Sequence, residues 1–136
     1  MDLNEKDILQ IPESYFNNDD VEDMIRKHLD IVILCIIRNN SMSGQWIIKE
    51  IFYKYHVYIS SSAVYPLLYS FRNQGILEID TIKGDMRTKC YVPTEEGEKI
   101  INRRLNEFKE ILEYFITCID YSLSCDNFPP KKRKRL

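Results

Sequence analysis

The residues with chemistry to offer gather in one run, Ser60-Ser61-Ser62-Ala63-Val64-Tyr65-Pro66-Leu67-Leu68-Tyr69-Ser70-Phe71-Arg72-Asn73. Wound as a helix, this run turns Val64, Leu67, Leu68 and Phe71 to one face. Ser62, Tyr65, Tyr69, Arg72 and Asn73 fall on the other face or its flanks. That outward face is polar and aromatic, an unusual choice for a surface that meets only water. Serine hydroxyls at a helix start, Ser61 or Ser62, can hold a phosphate oxygen. Asn73 can pair with an adenine edge, and the ring atoms of Tyr65 and Tyr69 can meet thymine methyls. Arg72 can bind a phosphate or an acidic neighbour. The chemistry on offer is recognition of duplex DNA. The plain alternative is a surface helix of an all-α domain whose tyrosines only cover core.

Other chemistries find no support in the residue pattern. His28 and His56 stand without a companion Ser, Asp or metal-ligand spacing. No glycine-rich phosphate loop or pair of catalytic carboxylates occurs, so the reading is against an enzyme, with no cofactor and no metal. Cys35, Cys90, Cys118 and Cys125 form no CxxC pair. They are expected to be buried or half-buried free thiols in a reducing compartment.

The elements that position the run are legible on both sides of it. Asp19 or Asp20 can cap a first helix from about Val21 to Arg38, apolar on nearly all sides in its second half. Ser43 can cap a second, Gly44 to Tyr55, with Ile47, Ile48, Ile51 and Phe52 as its core stripe. One of Ser60, Ser61 or Ser62 caps the third, and Gly75 ends it. Ile76 to Ile82 and Arg87 to Val92 read as strands joined by Lys83-Gly84-Asp85-Met86. Period two puts Leu77, Ile79, Cys90 and Val92 inward and Arg87, Lys89 and Tyr91 on the opposite side. Lys83, Arg87 and Lys89 then become candidate phosphate or minor-groove contacts, the alternative being solvated strand charges. Lys49 and Lys54 on the second helix are expected to be solvated, and Trp46 to lie in core or an interface.

Glu95 and Glu96 favour the start of a last helix, running to Tyr121 or slightly beyond. Its stripe Phe108, Ile111, Leu112, Phe115, Ile116 and Ile119 is longer than one small domain can bury, so a partner subunit is its natural cover. The fold class is mainly α with a small β-hairpin: a winged helix-turn-helix with a long C-terminal dimerisation helix. The expected organisation is an N-terminal arm (1–18), a DNA-binding domain (19–94), a dimerisation helix (95–124) and a disordered basic tail (125–136).

Charge is unevenly spread over the 136 residues. Lys131-Lys132-Arg133-Lys134-Arg135 holds five of the nineteen basic residues, leaving fourteen against twenty-one acidic ones. From Gly44 to Tyr91 the balance turns basic: Lys49, Lys54, Arg72, Lys83, Arg87 and Lys89 against Glu50, Glu78, Asp80 and Asp85. That surplus falls where DNA would sit. The apolar run Ile31–Ile37 is far short of the ~20 residues that cross a bilayer. With no basic signal region at the N-terminus, an intracellular protein is expected. Its place is cytoplasmic and nucleoid-associated in a prokaryotic or viral setting, and nuclear in a eukaryotic one. The tail reads as an import signal, a phosphate-neutralising arm or a solubilising segment.

On residues 30–105 the chain resembles the PadR family of winged-helix transcription regulators. Ile33-Leu34-Cys35-Ile36-Ile37 is similar to the family's first helix, and Ser43-Gly44 to the start of its second. Ser60 to Leu68 resembles its S-x-G-x-L/V-Y-P-x-L, including a Tyr65-Pro66 pair inside a helix, where proline costs ~3 kcal/mol. Gly75-Ile76-Leu77 and Lys89 to Gly97 match the strands and the K-x-Y-x-L-T-x-x-G that follows them. The resemblance implies a homodimer held by the C-terminal and first helices, recognition helices in successive major grooves, wings on flanking DNA, and response to a small aromatic effector. Departures are Gln45 and Trp46 where the family has a tyrosine after the glycine, Pro93 where it has leucine, and a less basic wing. A sequence-specific transcription regulator, acting as a repressor, is the resulting expectation. A winged-helix protein–protein module with little DNA affinity is the alternative, favoured by the acidic body.

Overall fold

A computed structural model describes residues 11–15, 18–80 and 89–125. The expected wing turn, with Lys83 and Arg87, and the basic tail lie outside them. The chain divides into two units, residues 1–105 and 106–136.

In the first unit a short 3-10 turn, Glu13–Tyr15, precedes α1 (Asp19–Lys27), α2 (Leu29–Ile37), β1 (Met42–Ser43), α3 (Gly44–Tyr55), α4 (Ser61–Asn73), β2 (Leu77–Ile79) and β3 (Cys90–Pro93). α5 (Glu95–Ser124) follows, its residues up to Leu105 belonging to this unit. The fold is a winged helix: helices with a small antiparallel sheet and a long last helix.

Local chemistry sets most of the boundaries. Asn18, not Asp19 or Asp20, caps α1, accepting the N–H of Asp20 at 2.8 Å. The two aspartates sit in the first turn instead, where negative charge meets the helix dipole. The expected single first helix is broken at His28, whose ψ of 33° leaves the helical region. α1 buries only Ile25, whereas α2 buries Leu29, Val32, Ile33, Leu34, Ile36 and Ile37. The break therefore falls where one-sided packing gives way to an enclosed helix.

α3 has the expected bounds, with Ser43 Oγ accepting the Trp46 N–H at 3.2 Å. Ile47, Ile48 and Ile51 are buried, but Phe52 is 46% exposed, because it stacks on His56 at the helix end (centroids 4.9 Å apart) rather than entering the core. α4 ends as expected, with Gly75 at φ +76° just past its cap. Its N-cap is Ser60, whose hydroxyl is shared with that of Ser62 (2.9 Å).

Among the described residues the sheet has three strands in the order β1-β3-β2. The two-residue β1 is the strand that alternation does not reveal. It pairs Met42 with Tyr91 and Ser43 with Cys90, so β3 is the middle strand, and β2 sets Leu77 opposite Pro93 and Ile79 opposite Tyr91. Directly opposed residues share a face. Leu77, Ile79, Tyr91 and Pro93 therefore point inward together, and the expected inward pair Cys90 and Val92 is corrected to the other side, where both are half-buried.

The core joins α2, Ile47 and Ile51 of α3, Ile59 of the loop that follows it, Val64, Leu68 and Phe71 of α4, and Leu77, Tyr91 and Ile101. Each fully buried aliphatic side chain contributes about 2 kcal/mol of transfer free energy. The first turns of α5 are thus part of this core, through Gly97 and Ile101. Thr94 anchors them: its hydroxyl donates to the Gly75 carbonyl (2.6 Å) and accepts the Gly97 N–H (2.8 Å). Arg104 pairs with Asp30 at 2.9 Å, and Arg38 donates to Asn102 at 2.6 Å. The described cysteines are free, yet Cys35 and Cys118 are exposed rather than buried.

In the second unit, residues 106–124 are helical. Phe115 and Ile119 are 58% and 56% exposed, and Ile111 and Ile116 are exposed beside them. Phe108 and Leu112 are half-buried. None of the described helices is long and apolar enough to cross a membrane.

Candidate nucleic-acid interface

α4 presents two unlike faces. Val64, Leu68 and Phe71 are buried, while Ser61, Ser62, Tyr69, Arg72 and Asn73 are exposed. Leu67 lies between the two, half-buried. Pro66 stands on the exposed side and has no N–H to give the Ser62 carbonyl.

Tyr65 is placed differently from its neighbours. It is half-buried, and the outer end of its ring lies over Gly44: a Cβ built there would stand 2.7 Å from Tyr65 Cζ. Its ring also meets that of Tyr69, with centroids 6.3 Å apart. The Ser43-Gly44 start of α3 and the Tyr65-Pro66 pair of α4 are therefore two sides of one contact. Tyr65 orients α4 as well as bordering its outer face.

Beneath this face lies Tyr91, wholly buried on β3. Burial pushes its phenol up from the ordinary value, the Tyr69 and Tyr65 phenols push it further, and the Arg72 guanidinium acts in the opposite sense. Among the described residues its hydroxyl has no hydrogen-bond partner. The strand parity that hid Tyr91 in the sequence is what places it here. β2, paired with β3, is the strand that packs against α4. Lys89, just before β3, is exposed; Lys83 and Arg87 lie outside the described residues. Among the described residues Arg72 and Lys89 form no ion pair, and Arg72 acts electrostatically on Tyr91.

Trp46 is exposed rather than in the core, with Lys49 Nζ 4.8 Å from the centre of its ring. Elsewhere in the unit an open cleft of about 450 Å³ has Leu67, Phe71, Ile76 and Ile100 on its walls and Arg103 and Arg104 at its polar side. The described residues contain no cluster of His, Cys, Asp or Glu able to hold a metal ion.

A model of the transcriptional regulator PadR-like family matches residues 33–103. The chain belongs to that family. Among solved structures, this PadR-like protein is similar to a transcriptional regulator from Clostridium thermocellum (21% identity, TM-score 0.58, covering 70% of this chain and 93% of that one). It is likewise similar to a PadR-like transcriptional regulator from Bacillus cereus (23% identity, TM-score 0.57, 74% and 96%). A PadR family regulator from Clostridium difficile shares 17% identity at a TM-score of 0.57, over 68% of this chain and 98% of that one. Likeness at these identities carries the winged-helix fold. No curated protein matches the chain. The family is one of transcription regulators.

Proposed function

We propose that this PadR-like chain is a sequence-specific, double-stranded DNA-binding repressor that works as a homodimer. The observation that carries the reading is the two-faced α4: its apolar side is locked into the core, and its serine, tyrosine, arginine and asparagine side is left to solvent. Such a helix enters a major groove, with phosphates positioning it and base edges giving preference. Ser61, Ser62 and Arg72 hold phosphates; Tyr65, Tyr69 and Asn73 border the bases; Lys83, Arg87 and Lys89 carry the wing onto the adjoining backbone. Residues 19–94 act as the DNA-binding domain, 1–18 as an arm and 125–136 as a tail that neutralises phosphates.

The exposed apolar stripe of the second unit, through Ile111, Phe115, Ile116 and Ile119, supports the homodimer. Within this reading the open cleft bordered by Leu67, Phe71, Ile76 and Ile100 is the place of a small aromatic effector. A dimer occupying two grooves blocks polymerase from its site, and the protein acts in the cytoplasm, on the nucleoid.

Selection of bound duplexes from a random pool tests the reading. A recurrent two-fold motif is expected, with affinity falling about 10³–10⁵-fold between ~50 and ~200 mM salt for ~6–10 phosphate contacts. Unselective recovery and a flat salt response would leave the protein-interaction module as the better account.

A further inference from the structure

Tyr91 is the largest fully buried side chain among the described residues, and the others of that group are all aliphatic. Its hydroxyl has no hydrogen-bond partner among the described residues. Phenylalanine would fill the same space and spare the fold a buried, unpaired polar group. A hydroxyl kept there at the expense of stability calls for a use in another state of the protein.

The strand register says what this hydroxyl faces. Tyr91 is paired with Met42 on β1 and with Ile79 on β2, and directly opposed residues share a face. Met42 stands two residues before Gly44, where a Cβ would lie 2.9 Å from the Tyr65 hydroxyl. The Tyr65 ring in turn meets that of Tyr69, with centroids 6.3 Å apart. Tyr65, Tyr69 and Arg72 are spaced i, i+4 and i+7, one stripe of α4. All three act electrostatically on the Tyr91 phenol, so the stripe borders it.

Tyr69 is 49% exposed and Arg72 is exposed, so water serves their donors in the free protein. A duplex laid on this face expels that water, and the donors then need acceptors. The guanidinium can turn to a phosphate. The Tyr69 O–H has no such partner where its ring meets a thymine methyl, whereas the Tyr91 oxygen keeps its lone pairs free beneath it. We propose that Tyr91 is a positioning residue of this interface: on DNA binding its hydroxyl accepts a hydrogen bond from the Tyr69 hydroxyl and so fixes the Tyr65–Tyr69 pair against the bases. This rests on the DNA-binding reading of α4 and adds to it a residue that itself never touches DNA.

The test compares a duplex selected from a random pool with a scrambled one, using anisotropy and the full-length protein, alongside thermal melts. Tyr91→Phe should melt higher than the parent, yet bind the selected duplex about tenfold more weakly, the loss of one hydrogen bond. Its affinity for the scrambled duplex and its salt slope should stay at parent values, because phosphate contacts are untouched. Tyr69→Phe should show the same loss, and the double variant no more than either alone. Ile79→Val, a packing change beside Tyr91, should melt lower and keep the full preference. Tyr91→Phe with undiminished preference overturns the proposal and leaves the α4 reading standing. So does an additive loss in the double variant, or the same loss of preference in Ile79→Val. A Tyr91→Phe that melts lower also overturns it, since the hydroxyl would then be bonded without DNA. If the parent itself prefers no duplex, the α4 reading fails and this proposal with it.

Discussion

Gly44 at the start of α3 and Tyr65 in α4 form a single close contact, in which a Cβ on the glycine would meet Tyr65 Cζ at 2.7 Å and its hydroxyl at 2.9 Å. The group in the way is the far end of a side chain, which can swing aside. Gly44→Ala should therefore change stability by less than about 1 kcal/mol, helped by alanine's better helix propensity. It should nevertheless weaken duplex binding about tenfold, a ~1.4 kcal/mol effect, because the displaced ring moves on the face proposed to meet DNA. In a Tyr65→Ala background the same substitution should have no further effect on binding. Equal losses in both backgrounds would show that the contact does not set the interface.

Gly97 faces an obstacle that cannot swing. A Cβ there would lie 1.9 Å from the Ile76 carbonyl oxygen, with the Thr94 hydroxyl on another side at 2.8 Å. Gly97→Ala should cost about 3 kcal/mol and lower Tm by roughly 10 °C. Gly75 is the control: it has open space around it and a φ of +76°. Gly75→Ala should cost only about 1 kcal/mol, the strain of the left-handed backbone. Thermal melts of the pair check the contrast, and similar losses would remove the close approach as the cause.

Tyr91 carries a buried hydroxyl without a partner among the described residues. Tyr91→Phe should stabilise the fold by about 1 kcal/mol, since an unsatisfied polar group is removed at nearly constant shape. The pH dependence follows from the direction of its shift. Burial raises the phenol in the folded state, so its neutral form is favoured there. The associated stability is complete below the unfolded tyrosine value, about 10, and is lost as pH rises through the folded one. Urea midpoints should fall above about pH 10 in the parent and fall less in Tyr91→Phe. Parallel profiles would assign alkaline unfolding to other groups.

Arg104 ties the start of α5 to α2 through Asp30, at 2.9 Å, and its guanidinium stands 5.9 Å from the centre of the Phe71 ring. Both side chains of the ion pair are about a third exposed, which screens the pair. Asp30→Ala should cost no more than about 1 kcal/mol. Arg104→Ala should cost more, because the cover over Phe71 is lost with the charge. Denaturant midpoints decide, and the reverse order would show that the carboxylate dominates.

Ile119→Glu and Phe115→Glu put charge into the exposed stripe of residues 106–124. Light scattering should show a dimer for the parent and a monomer for each variant, with the salt dependence of duplex binding roughly halved. A parent that is monomeric at micromolar concentration would dismiss the homodimer.

Helices α3 and α4 were readable from the chain because their signals are local. Ser43 lies three residues from the N–H it caps, Gly75 is the residue that the left-handed stop requires, and the isoleucines of α3 recur at helical spacing. The outward serines, Tyr69, Arg72 and Asn73 follow from the same period. Phe52 also fits that period, but it lies at the edge of the buried face beside Ile51, and its ring stacks on His56 instead.

By itself, then, the sequence determined where α3 and α4 lie, which face of α4 is polar, and the family through motifs around Tyr65-Pro66. Only the tertiary structure decided the inward parity of β3, the burial of Tyr91 under α4, the exposure of Trp46 and the fit of Tyr65 onto Gly44. The physical reason is the range of the forces involved. Caps and helical periodicity act over three or four residues and are written in neighbouring letters. Strand parity depends on pairing with Met42, nearly fifty residues away, and the Gly44–Tyr65 contact exists only once two helices have packed.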